Sequence, residues 1–511
     1  MSSKSASLAS WATAGLLLFA LAGGPPAFAA SSNAIINVIE PAEPKFLDMT
    51  QDPGRVAMRT GSVIIEPLVF SDSNMTLVPG LATSWERAGE KVWRFKLRKG
   101  VRFHNGEEFN ADAVRFSIER SKKGNYGSYY ADIERIVTPD PYTVEIHTTL
   151  PTSVTPAIMS VLWIVPPKHV QQVGDAAFGK APVGTGPFKF KEWAAGKSLT
   201  FVRNDDYWGD KAKIGGVKWT WSAEPSARTS LLLAGNADVA VNVNPQETAE
   251  IETNKNTKII RGLTNRTVYI FFDMKSPIVN DIAIRKAVAH LVDRDAIVKA
   301  LLGSAARPEK RLLIETIFPA GGGNDAKAFK TSVAEARQIL EKAGYASKFP
   351  IEIDFHYTQS RHPMEAEVAE AIISALEKPG FFKVKRHIRE AGAHLALVFT
   401  HKIGGMFLYS GGPTWPHPDV TMRTYIGTKS VVHYCEDAEL DRQGASALQL
   451  SGKAADAAYT AIESRVLYDL VCMIPLHRII DEHGVSKRVR GMQVRLNEFI
   501  DYYPVEVTDA R

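Results

Sequence analysis

Alternating apolar and polar positions predict short strands at several points of the chain. Residues 91–97 and 351–355 each alternate with a period of two, which is typical of a strand that buries one face, and the largely apolar residues 34–39 also predict a strand. Residues 188–203 predict a β-hairpin with its turn at Gly196. The earlier half of the chain is therefore predicted to be rich in antiparallel hairpins.

Predicted helices begin at polar residues whose side chains can accept hydrogen bonds from the first backbone amides. Asn110 precedes a helix predicted over residues 111–122. Asp281 and Asp293 precede two consecutive helices that end at Gly303. These capping residues fix where each helix starts.

The later half of the chain predicts a βαβ unit. Ser332 and Glu335 form a capping box for one helix. A strand at 351–355, a helix over 363–376 and a strand at 384–386 follow at the spacing of two parallel strands joined by a helical crossover. The later half is therefore predicted to be α/β.

The amino-terminal segment predicts export. Lys4 is its only charge, residues 11–22 are apolar, and a small-residue site ends at Ala29. The apolar run is too short for a membrane span, which needs about 20 residues. Cleavage is predicted after Ala29, with no cysteine there for a lipid anchor, which leaves 511 − 29 = 482 residues in the periplasm.

Composition narrows the class of protein further. A chain of this length predicts two to four domains, and a formal charge of +5, or +4 without Lys4, is nearly balanced, so nucleic-acid binding is not indicated. Cys435 and Cys472 are the only thiols. In an oxidising compartment they could pair, and two isolated apolar residues are the alternative.

Sequence motifs argue against an enzyme. No HExxH, GxSxG or CxxC occurs, and the Gly196-Lys197-Ser198 run lacks the earlier glycine of a phosphate loop. A periplasmic hydrolase with a dispersed site is the remaining enzymatic alternative. No cofactor is predicted.

Six segments resemble, in the same order, the large solute-binding proteins of ABC importers for dipeptides, oligopeptides and nickel, known as solute-binding protein family 5. They are LVPGLATSWE (77–86), FKLRKGVRFHNGEEFNADAVRFSIER (95–120), PVGTGPF (182–188), RNDDYWG (203–209), AIRKAVAHLVDRDAI (283–297) and EARQILEKAGY (335–345). The resemblance covers essentially the whole mature chain.

The resemblance implies an α/β, two-lobed periplasmic-binding-protein fold of type II, with an extra subdomain inserted in lobe one. The implied bounds are 1–29 for the signal peptide, 30–75, 185–273 and 480–511 for lobe one, 76–184 for the insert and 274–479 for lobe two. It also implies a monomeric receptor that captures a peptide or similar solute and delivers it to ABC permease subunits in the inner membrane. Nickel chelates, opines and oligosaccharides are the alternative ligands.

The loop at residues 409–423 is the first candidate ligand site. In peptide-binding relatives the matching loop carries an aspartate that pairs with the ligand's amino group, and here Thr414 occupies that position. A neutral threonine cannot hold an ammonium by charge. Trp415 is predicted to touch ligand, with a packed anchor as the alternative, and Trp415→Ala is expected to weaken binding without unfolding the protein. Asp419 is a second candidate for the ammonium.

Other candidate ligand residues lie in the inserted subdomain and near the loop. Tyr126, Tyr129 and Tyr130 follow the predicted helix and can offer stacking faces, or can equally be a surface cover. Arg120 and Arg423 can hold a ligand carboxylate, although most arginines are solvated surface charges.

The resembled family includes nickel-binding proteins, which makes the histidines candidate metal ligands. His394 and His401 are seven residues apart on one predicted helix, about 10.5 Å along its axis, which is too far to grip one ion. His417, also a candidate ligand residue, and His433 lie in the predicted cleft and are better candidates for a nickel-chelate binder. No metal site is predicted otherwise.

Overall fold

The computed structural model describes residues 33–52, 54–125, 127–318, 327–359 and 361–508. The predicted signal peptide and Tyr126 lie outside the described residues. Within them, no helix has the length and hydropathy needed to cross a bilayer.

Strands and helices alternate along most of the chain. The strands are β1 (Ile35–Glu40), β2 (Phe70–Ser71), β3 (Leu77–Val78), β4 (Ala82–Gly89), β5 (Val92–Leu97), β6 (Ile133–Asp140), β7 (Thr143–Thr148), β8 (Phe188–Ala194), β9 (Ser198–Arg203), β10 (Gly216–Trp221), β11 (Val239–Ala240), β12 (Thr257–Phe272), β13 (Ala306–Pro308), β14 (Ile351–Thr358), β15 (Phe382–Arg389), β16 (Met406–Gly411), β17 (Met473–Ser486), β18 (Val489–Arg490), β19 (Gln493–Val494), β20 (Ile500–Asp501) and β21 (Glu506–Val507). The α-helices are α1 (Arg55–Gly61), α2 (Ala111–Ser121), α3 (Thr155–Ile158), α4 (Pro167–Val173), α5 (Asp175–Lys180), α6 (Pro225–Leu233), α7 (Thr248–Thr253), α8 (Ile282–Leu291), α9 (Arg294–Ile297), α10 (Val333–Lys342), α11 (Glu365–Glu377), α12 (Ala391–Phe399), α13 (Asp419–Tyr425), α14 (Ala438–Ala447) and α15 (Gly452–Ser464).

One mixed sheet runs through both lobes in the order β15-β14-β16-β12-β17-β11-β1-β10-β9-β8, with β13 paired to β17. The long antiparallel strands β12 and β17 lie at its centre. Their pairing runs from Thr257 with Ser486 to Leu263 with Ile480, and it resumes at Thr267 with Arg478. These two strands therefore form the connection between the lobes.

The register between β12 and β17 is interrupted from Leu263 to Thr267. Arg478 is fully buried there and donates from Nε and Nη2 to the carbonyl of Thr264, at 2.9 and 2.7 Å. This bridge satisfies a carbonyl that the interrupted ladder leaves free. The interruption places Arg266 at the junction of the lobes.

A separate four-stranded sheet, in the order β4-β5-β7-β6, belongs to the inserted segment. Helix α2 begins at Asn110, whose Oδ1 accepts from the amides of Asp112 and Ala113, as predicted. The residue bounds of the lobes and of the insert stay a prediction.

Most predicted elements are present where the patterns put them. Asp281, Asp293 and Ser332 each cap a helix through their side chains. Strands β14 and β15 are parallel and are joined through α11, which confirms the βαβ unit. The hairpin of β8 and β9 turns at Gly196, whose φ of 72° suits glycine.

The two cysteines form a disulfide, with 5.3 Å between the Cα atoms of Cys435 and Cys472. Cys472 directly precedes β17, and Cys435 follows the loop after α13. The disulfide therefore ties a loop of the second lobe to one of the connecting strands.

Candidate functional site

A cavity between the lobes, which we call the hinge chamber, has a volume of about 580 Å³. Its first-lobe wall includes residues 223–225 and 242–245, and its second-lobe wall includes residues 361–364. Arg266 from β12 and residues 479–482 from β17 also line it. The hinge chamber is thus enclosed by both lobes and by the strands that join them.

A smaller cavity of about 110 Å³, which we call the front chamber, is lined by Arg55, Glu66 and Thr414 among others. One carboxylate joins the two chambers, because Glu498 Oε1 lies 3.4 Å from Arg55 Nη2 and 3.0 Å from Arg266 Nε. Burial by itself raises the pKa of Glu498, but Arg266 and Arg55 outweigh burial and hold its pKa below the ordinary range. Glu498 is therefore a paired anion.

Asp481 of β17 is the least satisfied acid of the hinge chamber. It is 7% exposed, and its Oδ2 is buried without a hydrogen-bond partner among the described residues. Burial, followed by repulsion from Glu498, raises the pKa of Asp481 to about 7, although arginines nearby act in the opposite direction. Asp481 is thus a buried carboxyl whose charge the chain does not neutralise by contact.

Arg361, just before α11, is the matching cation. Its Nη2 donates to the carbonyl of Ser410 at 3.3 Å, and its guanidinium carbon lies 5.1 Å from the centre of the Tyr409 ring. Within the described part of the chain it forms no ion pair. Arg228, which lines the same chamber, differs because its guanidinium donates to four backbone carbonyls.

His362 adds a neutral polar group beside Arg361. It is 6% exposed, and its Nε2 is buried without a partner among the described residues. Burial, with the nearby charge of Arg361, holds the pKa of His362 well below its ordinary value. The hinge chamber therefore offers an acid, a guanidinium and a neutral imidazole from facing walls.

The predicted 409–423 loop contributes little to either chamber beyond Thr414. The Thr414 hydroxyl is buried without a hydrogen-bond partner in the described residues. Trp415 is fully buried, lines neither chamber, and packs edge-on against Tyr129 with 4.2 Å between ring centres. Its place is that of the packed anchor, and contact of Trp415 with ligand stays a prediction.

Contacts between the inserted segment and the second lobe form what we call the front interface. Arg423 pairs with Asp419 at 2.5 Å, with Asp132 of the insert, and with the carbonyl of Ser128 at 3.5 Å. Asp419 is 3% exposed. Arg423 and Asp419 pair with each other, and neither lines either chamber.

The remaining predicted ligand residues also have protein partners. Arg120 pairs with Asp48, with Asp175 at 2.7 Å and with the Thr50 hydroxyl at 2.7 Å. Tyr130 is buried and donates to the carbonyl of Val161 at 3.1 Å. Their ligand roles stay predictions.

The histidines do not assemble as the metal hypothesis needs. Helix α12 ends at Phe399, so the placement of His401 on that helix is wrong, and His401 has a left-handed φ of 55°. His401 packs on His433 with 3.4 Å between ring centres, and His417 Nε2 lies 3.2 Å from the Ser153 hydroxyl. Among the described residues, no group of three or more potential ligands could hold a metal ion.

Comparison with known proteins gives the family. The sequence profile of the bacterial extracellular solute-binding proteins, family 5 (middle region), matches residues 76–431. The chain belongs to this family. This match confirms the predicted family. Family 5 members are solute-binding receptors that act outside the cytoplasm.

Relatives within family 5 are distant. A Brucella ovis protein with a provisional name as an ABC transporter peptide-binding protein is 28% identical over 342 residues, which cover 63% of this chain and 63% of that protein. The chain thus spans less than two thirds of the length of that relative. The dipeptide-binding protein of Escherichia coli is 26% identical over 312 residues, or 56% of this chain and 58% of that one.

Solved structures of similar fold cover nearly the entire chain. The periplasmic binding protein AgaA from A. tumefaciens R10, in complex with agropinic acid, superposes with a TM-score of 0.81 at 24% identity, covering 94% of this chain and 99% of that one. The Helicobacter pylori protein DppA, in complex with the peptide STSA, has a TM-score of 0.81 at 21% identity, with 93% and 98% covered. The two-lobed α/β fold of family 5 is thereby confirmed.

Sequence reasoning missed Asp481, Arg361 and Arg266. Asp481 lies in the stretch His477–His483, which carries five ionisable side chains within a buried strand. Ionisable residues inside an otherwise apolar strand were the signal that could have found it.

Proposed function

We propose that this protein is the solute-binding receptor of an ABC importer, which captures a peptide or a similar small solute between its lobes and delivers it to the membrane permease. The hinge chamber carries this proposal. A chamber walled by both lobes makes ligand binding and lobe closure one event, because contacts to both walls exist only in the closed form.

A contact across the mouth of the chamber supports closure. Gln246 of the first lobe lies with its Nε2 3.9 Å from the sulfur of Met364 in the second lobe. Both walls therefore already meet at this edge, and a bound solute would be enclosed behind them.

The size of the chamber favours a small solute over a long peptide. Its volume of about 580 Å³ falls within the range of roughly 300–1,000 Å³ that is usual for small-molecule sites. Dipeptide binding in the E. coli relative and agropinic acid in the AgaA structure agree with this size class. Nickel chelates, as in the Campylobacter jejuni NikZ complex with Ni(L-His), and oligosaccharides are the alternative ligands.

The proposal includes the location and the partners of the receptor. We propose export to the periplasm with cleavage after Ala29, a monomeric chain without catalytic activity, and permease subunits as the membrane partner. It also includes the division into lobe one (30–75, 185–273, 480–511), insert (76–184) and lobe two (274–479). Sequencing the amino terminus of the exported protein tests the cleavage position.

Ligand identification tests the main proposal. The exported protein is purified, and any co-purifying solute is identified by mass spectrometry. Thermal-shift screening against di- and tripeptides, agropinic acid, oligosaccharides and nickel–histidine then follows, since a ligand that binds only the folded state raises its apparent stability. Binding without turnover is expected, whereas hydrolysis of a peptide or ester would indicate an enzyme.

A further inference from the structure

Asp481 and Arg361 carry opposite charges, line the hinge chamber and have no ion-pair partner among the described residues. Asp481 lines it from β17 and Arg361 lines it from the second-lobe wall. Other buried ionic groups of this region are satisfied within the chain, and Arg228 is satisfied by four backbone carbonyls instead of an ion pair. Glu40 and Arg59, for example, are 2.6 Å apart, and Glu498 contacts two arginines.

Leaving the buried acid Asp481 unpaired costs free energy, because its carboxyl has lost water without gaining a counter-ion, and the half-buried guanidinium of Arg361 has no counter-ion either. A neutral solute would remove still more water and supply no charge to either group. A solute with one charge would satisfy one group only. A solute with both charges satisfies both.

The front chamber cannot supply the cation site that the family loop carries. Thr414 stands where peptide-binding relatives have an aspartate, and Asp419 is held by Arg423 at 2.5 Å. Glu66, the buried acid of the front chamber, accepts hydrogen bonds from Thr185, Tyr207 and Trp208. Asp481 is therefore the acid best placed to hold a ligand cation.

We propose, on the basis of the receptor function above, that the hinge chamber binds a solute carrying both a basic nitrogen and a carboxylate, with the nitrogen at Asp481 and the carboxylate at Arg361. A guanidinium can hold a carboxylate through two parallel hydrogen bonds. The uncharged imidazole of His362 can accept a further hydrogen bond from the solute. The cation anchor of this chain thus lies on a connecting strand instead of the 409–423 loop.

Calorimetric titration of the full exported chain tests this assignment. The probes are alanylalanine, trialanine, free arginine and free glutamate, followed by the N-acetylated and the carboxamide forms of whichever binds most tightly. Blocking either end is expected to weaken binding roughly 10- to 100-fold, as charged hydrogen bonds of about 1.5–3 kcal/mol imply. The blocked probes need no mutation and so do not depend on how a variant folds.

Two variants assign each end of the solute to its residue. Asp481→Asn is expected to bind the unblocked probe more weakly. It should also bind the unblocked probe and its N-acetyl form with the same affinity. Arg361→Gln is expected to bind the free acid and its carboxamide with the same affinity. Arg361→Lys is expected to restore part of the preference for the acid. Asp112→Asn and Arg115→Gln, a surface pair on α2, are the matched controls and should bind as the unaltered protein does.

The outcomes separate this inference from the receptor function. Equal affinity for free and N-acetylated probes, or binding of neutral oligosaccharides while no zwitterion binds, overturns the inference and leaves the receptor intact. If no solute of any class in the screening panel binds, the receptor function itself fails and the inference fails with it.

Discussion

The front interface and the hinge chamber are built from the same kinds of side chain and differ in how their charged groups are satisfied. In the front interface Arg423 is held by Asp419 and Asp132, and Trp415 packs on Tyr129. In the hinge chamber Asp481 has a buried oxygen that no described residue contacts by a hydrogen bond. A cluster whose charged groups pair with one another holds two parts of the chain together. A cluster with an unpaired charged group is available to a ligand.

The largest expected effect falls on the front interface. Trp415→Ala removes a fully buried indole, and we expect a loss of about 3–5 kcal/mol in the free energy of unfolding, measured by urea denaturation. Phe399→Ala, at a ring that is 47% exposed, is the control and should cost about 1 kcal/mol or less. Similar losses for both variants would show that Trp415 is not a packing anchor.

Breaking the ion pair of the front interface has the next largest effect. Arg423→Gln leaves the buried carboxylate of Asp419 without its counter-ion and is expected to cost about 3 kcal/mol. The double variant Arg423→Gln/Asp419→Asn removes both charges and should recover more than half of that loss. If the double variant is less stable than the single one, the pair is not mutually satisfied as described.

The smallest effect is a gain in stability from the hinge chamber, and it depends on pH. The folded pKa of Asp481 is about 7, above the ordinary 3.8, because of burial and then Glu498, against Arg59, Arg266 and Arg55. The folded state therefore holds a proton that the unfolded state releases, so the unaltered protein loses stability as pH rises from about 4 to 7.

In Asp481→Asn the side chain at this position does not titrate, so the variant does not lose this part of its stability as pH rises. We expect the variant to be more stable than the unaltered protein at pH 8 and to show no gain at pH 4, as measured by urea denaturation without solute. Asp112→Asn at the surface is the control. A gain that is equal at both pH values would contradict the protonation of Asp481, and a loss at pH 8 would show that its charge is satisfied.

Much of the fold could be predicted because its signals are local. Each of three helices starts at a residue whose side chain accepts a hydrogen bond from a backbone amide close by in sequence. These residues are Asn110, Asp281 and Ser332. The alternation at 351–355 belongs to a strand whether or not its neighbours are known. His401 was misplaced because nothing in its own segment shows that α12 stops at Phe399.

The candidate site could be predicted less well because it depends on long-range pairing. The sequence does not distinguish Arg120 and Arg423 from Arg361. Only the fold shows that Asp48 pairs with Arg120 and that Asp132 pairs with Arg423, although both acids are distant in sequence. Asp481 pairs across the sheet with Gly262, which is 481 − 262 = 219 residues away in the chain. Whether a charge is free is a property of its neighbours, so residue type alone does not reveal it.

The break in the ladder between Leu263 and Thr267 also has a mechanical side. A ribbon of two hydrogen-bonded strands bends with least resistance where rungs are missing, since no bond must be broken there. Arg266 lies at that flexion point and reaches Glu498 at 3.0 Å. Any rotation of one half of the molecule against the other therefore alters the electric field inside the cavity as well as its width.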